Sequence, residues 1–213
     1  MAFQLAYKTL KEKAVETIRE RIVGGMWPGG MFLSEKMLKE LLQMSSTPIR
    51  SALDRLEMMG LVKQTPNQGA VVRELSLKEI LNVYELRLAM ETFAAKTLTG
   101  RLGRSFFDGL DANLADQEQA IKADDVQLYV RLDREFHGSI VRGMDNEDYV
   151  EAMDRIQDKF LMAVRTTFEK NRDRLWGSID EHRQIRHALA GSDPLVTEAL
   201  VGRHIEYVKT IML

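Results

Sequence analysis

At 213 residues the chain has room for one large domain or two modest ones, and 45% hydrophobic with 29% charged residues supply a core under an ordinary water-facing surface. The absence of cysteine excludes disulfides and thiolate metal sites, so any metal must be held by histidine, carboxylate or water. The net charge is −2, but residues 1–74 hold 11 Lys/Arg against 8 Asp/Glu while residues 75–213 hold 19 against 24: a basic head on an acidic body, suited to nucleic-acid contact through the head.

The first helical pattern is predicted over Tyr7–Val23, with Leu10, Ala14, Ile18 and Ile22 on one face, and it stops at Gly24-Gly25. Turn chemistry follows at Trp27-Pro28-Gly29-Gly30, and Ser34 then caps a short helix through Leu38, Leu41 and Leu42. After the connection Met44-Ser45-Ser46, Thr47 is expected as N-cap and Pro48 as first residue of a helix that buries Ile49, Ala52, Leu53 and Leu56 and ends at Gly60. Leu61–Gln64 and Ala70–Arg73 read as two short strands around the turn residues 65–69. No run approaches the ~18 apolar residues of a membrane span, and the N-terminal stretch lacks a signal-peptide core, so a cytoplasmic protein without membrane contact is expected.

Helix, short helix, tight turn, helix and hairpin is the order of a winged helix-turn-helix, whose helix after the turn enters the major groove. The solvent face of that helix carries Ser46, Thr47, Arg50, Ser51, Asp54 and Arg55. Hydroxyls and a cation at its N-terminal end suit phosphates and base edges; a merely solvated face of a three-helix unit is the other reading. The runs Pro28–Glu35 (PGGMFLSE), Thr47–Glu57 (TPIRSALDRLE) and Gly60-Leu61-Val62 resemble the N-terminal domain of the GntR family of transcriptional regulators. The resemblance covers about residues 8–74. It implies DNA contact from Lys36, Ser45, Ser46, Thr47, Arg50 and Gly69 in the wing. The chain departs from the family at Ser46, where members often carry Arg, and at Asn67 and Gln68, where the wing tip often carries a cation.

From Ser76 the chain reads as successive helices over about 76–98, 106–123, 124–143, 146–170, 172–190 and 193–212. The fold expected is therefore mainly α: a winged helix-turn-helix with a small β-hairpin in residues 1–74, and an all-α bundle in residues 75–213.

Helical periodicity places three of the four histidines inward. On the third bundle helix the stripe is Val126, Tyr129, Val130, Asp133, His137, Ile140 and Val141; on the next to last it is Leu175, Ile179, His182, Ile185 and Leu189; on the last it is Val196, Leu200, Val201, His204, Ile205, Val208 and Ile211. His187 falls on a polar face. Burying an aspartate and three imidazoles separately is costly, and a divalent cation would satisfy them together. Zn²⁺, Ni²⁺ or Mn²⁺ suits that donor set, with positions open for water or ligand; an internal hydrogen-bond network is the alternative. Arg87 shares a stripe with Ile80, Val83, Ala94 and Leu98, where a guanidinium would bind an effector carboxylate or form an internal salt bridge.

The runs Leu132–His137 (LDREFH), Glu181–Ile185 (EHRQI), Ala188–Asp193 (ALAGSD), His204-Ile205 and Tyr84–Arg87 (YELR) resemble the FCD-type ligand-binding domain of the FadR subfamily. That resemblance covers about residues 76–212 and implies the metal ligands Asp133, His137, His182 and His204. It also implies a small organic or sugar acid as effector in place of a fatty acyl group. The function expected is a homodimeric regulator that binds a pseudo-palindromic double-stranded DNA operator under control of that effector. A metal-dependent hydrolase using the same three histidines and aspartate is the competing class, against which stand the missing general base, the missing H-E-x-x-H and the unexplained head.

Overall fold

The structure, a computed structural model, describes residues 9–66, 68–170 and 172–212. It divides into two compact units, Met1–Leu75 and Ser76–Leu213.

In the first unit Thr9 caps α1 (Leu10–Val23) through a reciprocal bond with Glu12. The helix therefore starts at Leu10; Tyr7, its expected first residue, lies outside the described residues. Ser34 accepts from Met37 N and starts α2 (Glu35–Leu42). Helix α3 spans Ser46–Met58, with Ser45 as N-cap in extended conformation. The expected cap at Thr47 is thus two residues late. Pro48 is the third helical residue, where its missing N–H is still one of the donors a helix start leaves unused. At the other end Leu61 N reaches Leu56 O and Gly60 N reaches Glu57 O, while Gly60 takes a positive φ of 74°. This turn suits glycine and folds Leu61 back onto Leu56.

A strand absent from the sequence reading completes the sheet. β1 (Phe32–Ser34) pairs antiparallel with β3 (Gly69–Val72), which pairs with β2 (Val62–Thr65), giving the order β1-β3-β2. Three residues are too few for an alternating pattern to declare itself; their partners lie about forty residues on. Leu33, Ala70, Val62 and Val72 of this sheet, Ile18 and Ile22 of α1 and Ile49, Leu53 and Leu56 of α3 are all buried, with α1 and strands β2 and β3 packed on α3.

The second unit contains α4 (Leu77–Leu98), α5 (Arg104–Lys122), α6 (Val126–Arg142), α7 (Glu147–Lys170), α8 (Asp173–Leu189) and α9 (Pro194–Met212). Helix α4 packs on α9, α7 and α6, α5 lies against α6 and α8, and α8 against α9. The buried aromatics Tyr84 and Phe160, and Tyr129 and Phe168, meet edge to face and tie α7 to α4 and α6. The inward stripe of α9 needs one correction. Val196 is half exposed and Leu200 only partly buried, because the first turn docks by Thr197, whose hydroxyl bonds Thr99 at the end of α4 at 2.9 Å. A buried hydroxyl pair thus takes the place expected of an apolar side chain. No helix among the described residues is long and apolar enough to cross a membrane.

Candidate functional site

On the first unit, Ser45, Thr47, Arg50 and Lys36 are exposed and Ser46 is partly so. Arg50 Nε lies 2.8 Å from Glu35 Oε1, an ion pair that joins the start of α2 to the first turns of α3. The turn joining β2 and β3 is anchored to the start of α2, where Glu35 N donates to Gln68 O. Gly69 lies where β3 meets β1. It is buried in β3, its φ is 139°, and a Cβ there would stand 2.1 Å from Leu33 O and 2.9 Å from Ser34 Cα. Its requirement for glycine is the close approach of β1, whatever contact its backbone makes in the wing.

In the second unit Asp133 and His137 of α6, His182 of α8 and His204 of α9 converge. All four are buried, and one ligand atom from each lies within 4.8 Å of the others. His204 Nε2 is 3.3 Å from His182 Nε2 and 3.2 Å from His137 Nε2, while Asp133 Oδ1 is 3.5 Å and 3.9 Å from the Nε2 atoms of His182 and His137. His187 is exposed and apart from the cluster.

The opposite edge of each ring decides what the Nε2 atoms offer. His137 Nδ1 faces Glu91 Oε2 at 2.5 Å, His182 Nδ1 faces Gln117 Oε1 at 2.9 Å, and His204 Nδ1 faces Glu181 Oε2 at 2.6 Å. Each partner is an acceptor, so the ring proton belongs on Nδ1 and the lone pair on Nε2. Burial, with the neighbouring imidazoles adding to it, holds His182 well below the ordinary histidine pKa. Burial also lowers His204, against the opposing pull of Glu181. Bare nitrogens 3.2–3.3 Å apart cannot hydrogen-bond one another. Metal–nitrogen bonds of 2.0–2.1 Å in a tetrahedral arrangement place nitrogens about 3.3 Å apart. The donor set thus fits a divalent cation in both spacing and protonation.

The acceptors are themselves held. Glu91 Oε1 takes a 2.7 Å bond from Arg87 Nε; burial opposes its ionisation, but Arg87 and His137 bring its pKa down to about 2. Gln117 donates to Asn113, which donates to Leu132 O. Arg174 grips Glu181 through Nη1 at 3.0 Å and Nη2 at 2.5 Å. Arg87 is inward, as its stripe implied, and its Nε serves an internal salt bridge while its guanidinium lies 3.9 Å from the Phe160 ring centre. Five helices, α4, α5, α6, α8 and α9, therefore meet at one point.

Sequence reading placed Asp133, His137, His182 and His204 inward and did not single out the acceptors Glu91, Gln117 and Glu181. Two of these left a trace: Glu91 follows Arg87 by one turn on an inward stripe, and Gln117 follows Leu110 and Leu114 at helical spacing. Glu181 opens the EHRQI run beside His182, but from the flank of its helix it gave no sign that it would meet His204.

A winged helix-turn-helix joined in one chain to a helical bundle with a closed polar centre defines a DNA-binding regulator that carries a sensor domain. Residues 10–72 match the bacterial regulatory proteins of the gntR family, and residues 82–207 match the FCD domain. The chain is 30% identical over 185 residues to the gluconate operon transcriptional repressor of Bacillus licheniformis, covering 83% of this chain and 74% of that protein. It is 26% identical over 181 residues to the gluconate operon transcriptional repressor of Bacillus subtilis, with the same coverage. The solved structure of E. coli McbR/YncC shares the fold with a TM-score of 0.87 at 20% identity, over 96% of this chain and 97% of that one. The chain belongs to the GntR family of bacterial transcriptional regulators, with an FCD domain, and is a regulator rather than an enzyme. The hydrolase reading finds no support in either domain family.

Proposed function

We propose that this regulator binds its operator as a homodimer under control of a small carboxylate effector, held at a divalent metal ion in the helical domain. The observation that carries the metal is the trio of converging Nε2 atoms, each ring having its Nδ1 proton committed to Glu91, Gln117 or Glu181. Asp133, His137, His182 and His204 would hold an ion of the Zn²⁺, Ni²⁺ or Mn²⁺ class. When bound, that ion supplies a Lewis-acidic position for an oxygen anion.

Charge supports a monoanion. Arg87 balances Glu91 and Arg174 balances Glu181, so the centre's one unmatched charge is that of Asp133. A divalent ion leaves the buried site at +1, which one carboxylate neutralises. The relatives' names, which concern a gluconate operon, favour a sugar acid. Lys36, Ser45, Ser46, Thr47 and Arg50 form the DNA-reading set. Arg87 serves the effector through Glu91 and His137, whose ring it helps to orient.

Effector and DNA must change each other's affinity by the same factor. Elemental analysis of untagged protein is expected to find one divalent ion per chain, kept by His187→Ala and mostly lost by His182→Ala. Equal metal content in both variants would refute the centre. Retardation of DNA from the gene's own neighbourhood, with and without metal and candidate acids, tests the coupling.

A further inference from the structure

Arg50, on the exposed face of α3, is held through a single nitrogen. Its Nε lies 2.8 Å from Glu35 Oε1, and neither Nη group makes a hydrogen bond among the described residues. Arg186 is held differently: Asp111 accepts from its Nε and its Nη2, both at 2.6 Å, so one whole edge of that guanidinium is used. Glu35 leaves the Nη1–Nη2 edge of Arg50 open on a side chain that is 52% exposed. Paired donors on one edge of a planar guanidinium are what the O6 and N7 acceptors of a guanine accept.

Glu35 is itself fixed. It is the first residue of α2, directly after the Ser34 cap; its N–H donates to Gln68 O in the wing turn, and its side chain is only 15% exposed. An acid beside a surface that meets a polyanion weakens the attraction, so its place next to Arg50 calls for a compensating use. An arginine whose charge is balanced by a carboxylate also adds little to sequence-independent phosphate binding, which draws on uncompensated positive charge. What the pairing preserves is the direction of the donor fork.

We infer, resting on the DNA-reading role proposed for Arg50, that Glu35 is a positioning residue: it holds Arg50 by Nε so that the Nη edge meets a base, and keeps the guanidinium from turning to the phosphates. The competing role for Glu35 is structural, an acid in the first turn of α2 where the helix dipole favours negative charge. That role would act on stability and on every base preference alike.

The full chain, incubated with a duplex library of randomised base pairs and followed by sequencing of the bound DNA, gives the preference at each position; affinity for one unselected duplex is measured beside it. Arg50→Ala marks the position Arg50 reads, as the one whose preference disappears. The wild-type preference there is expected to be about tenfold. Glu35→Ala should reduce it to about twofold or less, leave the other positions as they were, and bind the unselected duplex about threefold more tightly, because the charge of Arg50 is no longer balanced. Glu35→Gln keeps an acceptor for Nε, so it should retain most of the preference while showing a similar gain on the unselected duplex. Full preference in Glu35→Ala would overturn the positioning role and leave Arg50 as a reader. Losses at all positions in both Glu35 variants, with a lower melting temperature, would overturn it in favour of the structural role. Unaltered preferences in Arg50→Ala, or no enrichment by the wild type, would overturn the reading of Arg50 and the role of Glu35 with it.

Discussion

Glu91 Oε2 stands 2.5 Å from His137 Nδ1 while Glu91 Oε1 takes a 2.7 Å bond from Arg87 Nε, all three side chains being buried. One carboxylate thus fixes the orientation of the His137 ring and absorbs the charge of a buried guanidinium. Glu91→Gln keeps the shape but offers a single carbonyl acceptor to two donors. Metal affinity is expected to fall about 10–100-fold, read by competition with a chromophoric chelator; unchanged affinity would remove Glu91 from the ligand-orienting set.

The DNA-reading face is tested at Arg50. Arg50→Ala removes an exposed guanidinium and its surface pairing with Glu35, a change expected to be nearly silent in a thermal melt. Operator binding at fixed salt should weaken by about 1–3 kcal/mol if a base is read, with relaxed preference at one position. A gel-shift titration indistinguishable from wild type would exclude it.

Gly69 has no tolerance for a side chain. Gly69→Ala would force a Cβ against Leu33 O from a backbone with φ of 139°. A loss of at least about 2 kcal/mol is expected for the N-terminal domain, measured by denaturant unfolding of that domain's transition, with metal content unaffected. A stable variant would show that β1 can move away from β3.

The metal-free protein should lose stability on mild acidification. Unfolded imidazoles take protons near pH ~6.5, whereas burial keeps His182 and His204 neutral to lower pH in the fold. Between those values the unfolded chain binds more protons, so stability falls as pH falls through the imidazole range. Glu91 adds a second loss as pH drops from the ordinary carboxylate range toward about 2. Melting temperature of chelator-treated protein against pH reads the first decline; a flat profile between pH 7 and 5 would contradict it.

Helical periodicity alone determined which faces of α6, α8 and α9 turn inward, because a stripe recurring every three or four residues is a local property of the chain. From it came the inward positions of Asp133, His137, His182 and His204 and the outward position of His187. The same local logic located the turn before α3 and the glycine after it. What periodicity lacks is the distance between stripes. Glu91 lies 46 residues before His137, Gln117 65 before His182, and Glu181 23 before His204, and only the packing of five helices brings each acceptor to its ring. The strand Phe32–Ser34 escaped for a related reason: its hydrogen bonds go to residues 69–71, and three residues carry too little pattern to announce a partner so far along the chain. Inwardness is written locally, in side-chain spacing; pairing depends on contacts between distant segments, and those are decided when the bundle closes.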